Sequence, residues 1–149
     1  MDLVKGIKER RSIRKFQDKP IDRKLIEEIV ETARFAPSWE NTQIVRYLVV
    51  DDKEKIAAIA NSKCTYGFDY NIKAIAGAPA VVILTFVEGR SGFDKDGSFS
   101  TPKGEGWQMF DAGIAAQTFC LAAHEKGLGT VIQGYFDDAE LKKVLPIPE

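Results

Sequence analysis

Residues 107–126 read WQMFDAGIAAQTFCLAAHEK, and this stretch decides what kind of domain the chain can build. Apolar side chains cover nearly the whole helical circumference, and many are small: Ala112, Gly113, Ala115, Ala116, Ala122 and Ala123. A helix apolar all round is expected to be buried, and small side chains let another helix come close. A chain of 149 residues has few elements with which to cover it, so a subunit interface is an expected neighbour. Gly127 supplies the stop, being free to take the left-handed conformation that ends a helix.

Working outward, the chain splits into short, well-punctuated elements. Residues 2–9 read as a short helix. Leu25, Ile26, Ile29, Val30, Ala33 and Ala36 recur at spacings of three and four, one face of an amphipathic helix; Asp22 caps it and Pro37 ends it. Val45–Val50 is β-rich and predicts a strand, Asp51-Asp52 cap a helix at about 53–61, and 71–77 predicts a short helix or turn. The apolar run at 79–87 predicts a buried strand. After Gly127, Thr130–Phe136 predicts a third strand, and Asp137-Asp138 cap a last helix at about 138–144. No repeat or linker divides this order, so residues 1–149 are expected to form a single α+β domain, helices packed on a small sheet. Residues 89–106, with five glycines, form a loop long enough to suggest function or mobility. Its Asp94–Gly97 segment looks like the start of a calcium loop, but loop position six holds Phe99 in place of the required glycine, which excludes calcium.

Composition narrows the function. The net charge of −1 argues against nucleic-acid binding, although residues 1–15 place six cations against two acids and can attract an anion. No run approaches ~18 uninterrupted apolar residues, and the N-terminus lacks a secretory pattern. A cytoplasmic protein without a membrane partner is expected. Cys64, Cys120 and the one histidine, His124, cannot make an ordinary zinc site. His124 falls near a helix C-terminus, where a structural role is the simpler reading.

There is no Gly-x-Gly-x-x-Gly after a strand, no phosphate-binding P-loop and no nucleophile–base pair. A chain so equipped borrows its reactivity from a cofactor or has none. Two segments offer ligand sites. Arg10-Arg11-Ser12-Ile13-Arg14 sets three guanidinium groups and a hydroxyl within five residues, suited to bidentate binding of a phosphate. Pro37-Ser38-Trp39-Glu40-Asn41-Thr42-Gln43 offers neutral donors and acceptors on Ser38, Asn41 and Gln43, suited to a polar heterocycle or polyol; otherwise it is a turn joining a helix to a strand.

RRSIRKF at 10–16, APSWENTQ at 36–43, DAGIAAQTFCLAAHEKGLGT at 111–130 and VIQGYFDDAELKKVLPIPE at 131–149 together resemble the FMN-dependent nitroreductase family, in that family's order and over nearly the whole chain. The resemblance implies a nitroreductase-like fold, a small, mainly antiparallel sheet flanked by helices, in a homodimer with FMN at the interface. It implies that Arg10, Arg11, Ser12 and Arg14 contact the FMN phosphate, ribityl chain and pyrimidine edge. Pro37, Ser38 and Asn41, with Gln43 nearby, would reach the flavin from the other subunit. Asn71 would lie near the pyrimidine edge, and Gln133-Gly134 would bring a backbone N–H to flavin N5. No side chain is then needed as a nucleophile and no metal is implied.

The activity implied is transfer of a hydride from NAD(P)H through flavin to a small acceptor such as a nitroaromatic or a quinone, in ping-pong order. The alternatives are a different flavin reaction on the same fold, such as dehalogenation or dehydrogenation, or a flavin-binding or interaction protein without turnover. Family members usually continue past the Ile-Pro-Glu segment into another strand and a basic tail that helps hold the FMN phosphate, whereas this sequence stops at Glu149; it is expected to be either a fragment or a member that does without that arm.

Overall fold

The structure, a computed structural model, describes residues 2–61 and 63–147. Met1 of the N-terminal segment and Pro148–Glu149 at the end of the 131–149 segment lie outside the described residues. The elements run α1 (Leu3–Glu9), α2 (Arg23–Ala33), a 3-10 turn (Trp39–Asn41), β1 (Val45–Val50), α3 (Lys53–Ile59), α4 (Asp69–Ala76), β2 (Val81–Phe86), α5 (Gly106–Glu125) and α6 (Asp138–Val144). Among the described residues no helix is long and apolar enough to cross a membrane. The architecture is α+β, as the order of elements predicts.

Three helices begin where the sequence puts an aspartate. Asp2, Asp52 and Asp137 accept the N–H of Lys5, Lys55 and Glu140 at 2.9, 2.9 and 3.0 Å. Each satisfies an amide that a helix leaves unpaired at its start. Helix α2 ends at Ala33, ahead of Pro37, because the chain tightens into three-residue turns in which Phe35 and Ala36 N–H donate to Thr32 and Ala33 O.

The chain sorts into two compact units. The first gathers α1 through Arg10, Arg23–Tyr47 and Leu84–Leu128. Here α2 packs against α5, as does α1, and the buried residues include Ile26, Ile29, Ala33, Ala112, Ala115, Cys120 and Ala123. The early part of β1 pairs antiparallel with the late part of β2, and Val87 N–H donates to Ile44 O beyond them. The expectation that α5 is buried all round needs correcting. Its core side is closed, but Met109 and Phe110 are 66% and 59% exposed, because α2 and the short α1 cover only part of the helix.

The second unit comprises Arg11–Asp22, Leu48–Ile83 and the chain from Gly129 onward. Its core is Val50, Ile56, Ile59, Leu141 and Leu145, with Ile75, Val81, Ile83 and Ile147 packed around them. The remaining halves of β1 and β2 pair here, and α3 meets both α4 and α6. The third strand expected at Thr130–Phe136 does not form. Ile13 N–H donates to Thr130 O at 2.9 Å in a single parallel bridge between Ser12 and Thr130, and the chain then runs on without a ladder. Among the described residues the Ser12–Ile13 backbone supplies one rung, and Asp137 N–H is drawn at the far end to Cys64 O. With no sheet to cover it, Ile132 stays 63% exposed.

Helix α6 is held mainly by Leu141 and Leu145, so Leu141→Ala should cost about 2–5 kcal/mol, the usual range for emptying a buried leucine site. Asp137→Ala, which removes only the cap, should cost about 1 kcal/mol. Urea unfolding of both variants checks the ranking; equal costs would show that the cap, rather than the core, holds the helix.

Candidate functional site

In the second unit, segments far apart in sequence meet along residues 129–135. Ser12 and Ile13 are joined to Thr130 by the parallel bridge. The approach depends on Gly129: a Cβ there would stand 2.9 Å from Ile13 Cβ and Cγ1. Arg14 turns its guanidinium onto Ser12 O at 3.4 Å, and Arg11, Ser12 and Arg14 all lie at the surface. Asn71, in the first turns of α4, donates from Nδ2 to Tyr135 O at 3.3 Å. The stretch 130–135 is thus tethered at one end by the arginine segment and at the other by Asn71, with Gln133 and Gly134 between the tethers. Gly134 is exposed, and a Cβ on it would meet nothing within 4 Å. Its backbone therefore borders open space that a flat group can enter closely.

An aromatic rim adjoins this opening. Tyr135 lies 5.1 Å from Tyr66 and 5.8 Å from Phe68, edge-on to the latter, and Phe68 stacks with Tyr70 at 6.3 Å. All four rings are substantially exposed. Desolvation, then the carboxylates of Asp137 and Asp138 and the Tyr135 ring, hold the Tyr66 phenol above its ordinary range, so it stays a neutral donor.

The other predicted residues lie in the first unit. Arg10 is the C-cap of α1, its N–H bound to Gly6 O. Pro37, Ser38, Asn41 and Gln43 belong to the loop around the 3-10 turn. Glu40, Asn41 and Gln43 have φ of 43°, 56° and 49°, left-handed values that non-glycine residues seldom adopt. Gln43 N–H donates to Ser38 Oγ at 2.9 Å, and Gln43 Nε2 to Asn41 Oδ1 at 3.1 Å. The loop borders a cleft of about 230 Å³ lined by Pro37, Ser38, Gln43, Ile44, Tyr47 and Ala115 among others. The Tyr47 hydroxyl is buried and has no hydrogen-bond partner among the described residues, and burial raises its pKa.

These features suit a flat, anionic ligand. Exposed guanidinium groups and a hydroxyl offer charge-assisted bonds to a phosphate, and a glycine backbone can lie against a ring. Among the described residues no group of His, Cys, Asp or Glu could hold a metal ion. The sequence model of the nitroreductase family matches residues 7–65 and 68–149. The chain belongs to the nitroreductase family.

Its relatives within that family agree in extent. A Methanothermobacter thermautotrophicus protein, provisionally named NADH dehydrogenase/NAD(P)H nitroreductase, is 31% identical over all of this chain and 71% of its own length. A Bacillus subtilis FMN reductase [NAD(P)H] is 29% identical over 99% of this chain and 61% of its own length. The crystal structure of a nitroreductase family protein from Clostridium novyi NT superposes with a TM-score of 0.82 at 26% identity, covering 100% of this chain and 78% of that one.

Two features of this nitroreductase escaped the sequence reading. The aromatic rim was signalled by TYGFDYN at 65–71, where aromatic residues recur at every second position. The second is Asp111, the one charged side chain between Trp107 and Ala123. It is 2% exposed and bonded to Trp39 N–H in the site loop.

Gly129→Ala should push Ile13 away and destabilise the protein by about 1–3 kcal/mol, the cost of overpacking a close contact. Adding Ile13→Ala should recover much of that loss, since the clash is with the Ile13 side chain. Chemical denaturation of the three variants and hydrogen exchange at the Ile13 amide check this. Additive costs would mean that Ile13 and Gly129 are not coupled.

Proposed function

We propose that this nitroreductase acts as an NAD(P)H-dependent flavin oxidoreductase, one FMN-binding domain over residues 1–149, working on small acceptors such as nitroaromatics or quinones. The observation that carries the reading is the convergence of the arginine segment, Asn71 and Gly134 on residues 130–135. The names of the relatives, an FMN reductase and an NAD(P)H nitroreductase, support the cofactor and the co-substrate. FMN, when bound, supplies a ring that takes a hydride from NAD(P)H and passes it to the acceptor.

The chain's own residues would bind and orient. Arg10, Arg11 and Arg14 would hold the phosphate and place positive charge beside the flavin, and the Ser12 hydroxyl would meet the ribityl chain. Asn71 would face the pyrimidine edge. Gln133-Gly134 would present a backbone N–H at N5, where a fixed donor stabilises charge that builds during hydride transfer. Exposed Tyr66, Phe68 and Tyr135 suit an acceptor with a flat aromatic face. One pocket serving donor and acceptor in turn gives ping-pong kinetics.

A second copy of the chain would contribute Pro37, Ser38, Asn41 and Gln43 to each site. The apolar surface of the first unit supports a homodimer: Leu3, Val4 and Ile7 of α1, Phe35, and Met109 and Phe110 of α5 are all exposed. Such a concentration of large apolar groups marks an interaction surface.

The purified protein should be yellow and release FMN on heating; recovery of FAD, or no flavin after saturation with FMN, overturns the cofactor assignment. Arg14→Ala should weaken FMN binding by about 1.5–3 kcal/mol, the range for a hydrogen bond to a charged group. Gly134→Ala should leave thermal stability nearly unchanged, because its Cβ meets nothing, yet weaken flavin binding by obstructing the ring. A Gly134→Ala protein with full FMN affinity places the flavin elsewhere. Phe110→Lys, at an exposed position, should leave the subunit folded while light scattering shows dissociation and flavin absorbance falls. A wild type that is monomeric at micromolar concentration and fully loaded with FMN would sink the shared site.

A further inference from the structure

The loop that bears Ser38, Asn41 and Gln43 is held in a costly shape. Glu40, Asn41 and Gln43 all lie at positive φ without being glycine, and such outliers persist only where surrounding structure imposes them. The hydrogen bonds from Gln43 to Ser38 Oγ and Asn41 Oδ1 close the loop on itself. They do not fasten it to the rest of the first unit.

At the loop's end, Arg46 of β1 donates from Nη1 to Gln43 O at 2.8 Å; the polar fastening of its start comes from α5. Asp111 accepts Trp39 N–H on both carboxylate oxygens, at 3.1 and 3.2 Å. Its Oδ2 also accepts the Ser91 hydroxyl at 2.6 Å. Asp111 and Ser91 are 2% and 0% exposed. One turn earlier, Gln108 Oε1 accepts Gly89 N–H at 2.8 Å, so the same face of α5 holds both the site loop and the start of the 89–105 loop. The Trp39 ring lies 4.4 Å from that of Trp107, packing the same turn against the helix. A buried acid in an otherwise apolar helix is costly unless its oxygens are satisfied. Here the donors that satisfy it are the loop's own amide and the neighbouring loop's hydroxyl.

We infer that Asp111 is a positioning residue for flavin binding: it holds the 38–43 loop in the shape that sets Glu40, Asn41 and Gln43 left-handed, so that Ser38, Asn41 and Gln43 meet the cofactor already arranged. This rests on the FMN reading above. Asp111 also lines the cleft that Ser38 and Gln43 border, but both its oxygens are taken by the Trp39 amide and the Ser91 hydroxyl, so its effect is through preorganisation, which lowers the ordering cost of binding. An asparagine would offer one acceptor oxygen and turn N–H groups toward the Trp39 amide, breaking the two-oxygen grip at nearly constant volume.

The test uses Asp111→Asn, Glu40→Gly and the double variant, with FMN affinity and the near-ultraviolet circular dichroism of the Trp39–Trp107 pair as readouts. These are the chain's two tryptophans, so that signal reports this loop. Asp111→Asn should weaken FMN binding about tenfold to hundredfold, the loss expected for hydrogen bonds to a charged group. It should also diminish the tryptophan signal while the far-ultraviolet spectrum is kept. Glu40→Gly, which lets the left-handed position be taken without a Cβ penalty, should recover about fivefold or more in the Asp111→Asn background.

Wild-type affinity in Asp111→Asn overturns the inference, as does a loss that Glu40→Gly leaves untouched, since that marks a residue needed only for folding. If Asp111→Asn does not fold, amide exchange of Trp39 in the flavin-free wild type decides. Protection above that of Glu40 and Asn41 supports the clamp, and rapid exchange overturns it. A wild type that binds no FMN sinks the proposed function, whereas the exchange and dichroism measurements still judge whether Asp111 fixes the loop.

Discussion

The close approach of α2 to α5 is the contact from which the first unit is built. Ala33 of α2 and Ala112, Ala115 and Ala123 of α5 are all buried, and side chains this small let two helix backbones come near each other with Ile26 and Ile29 filling the space between. Lys126, just past the end of α5, reaches Glu28 of α2 at 2.7 Å; that lowers the Glu28 pKa, first through the hydrogen bond and then through the charge. Such a half-exposed pair adds little stability by itself but is consistent with the register set by the alanines. With α5 fixed, its polar residues Gln108 and Asp111 face inward at defined points. Two loops that have little core of their own are hung from them.

Features governed by local chemistry were readable in the sequence. Asp52 and Asp137 cap the helices that the sequence assigns to them, since an N-cap needs only a carboxylate and an amide three residues on. The periodicity of Leu25–Ala33 gives α2 for a similarly local reason. What failed depends on partners distant in sequence. The Thr130–Phe136 segment has the composition of a strand, but a strand exists only where a ladder exists, and its neighbour at Ser12 supplies a single bridge. Likewise α5 was expected to be covered all round, yet nothing in its own residues says how many elements pack on it.

The candidate site divides along the same line. Arg11, Ser12, Arg14 and Gly134 stand out as residue types suited to an anion and to a close ring. Their meeting along residues 130–135 rests on Gly129 and Asn71, contacts between positions roughly sixty to a hundred and twenty apart. In the Ser38–Gln43 loop the left-handed turns fall on Glu40, Asn41 and Gln43. Only asparagine among these commonly tolerates that conformation, so the loop's shape could not be read from its composition. The legible hint was Asp111, the one charged side chain between Trp107 and Ala123, because such a group must find donors.

A protein that takes its reactivity from a cofactor needs no perturbed acid or base at the reaction centre. What it must supply is placement, and placement errors of about an ångström can cost a hundredfold in rate. The donors proposed for the flavin meet that demand in different ways. Gly134 offers a backbone N–H on a stretch pinned at both ends, at Thr130 and Tyr135, so its direction is set by main-chain geometry. The exposed arginines cannot be placed so well by packing, but a guanidinium bound to a phosphate tolerates some movement, since attraction between charges falls off gradually with distance. Short, directional contacts therefore sit on tethered backbone, and the long-range contribution is left to flexible side chains. The Ser38–Gln43 loop belongs to the first kind, because its neutral hydrogen-bonding groups work only at close range. That is the physical reason for fastening it to a buried carboxylate.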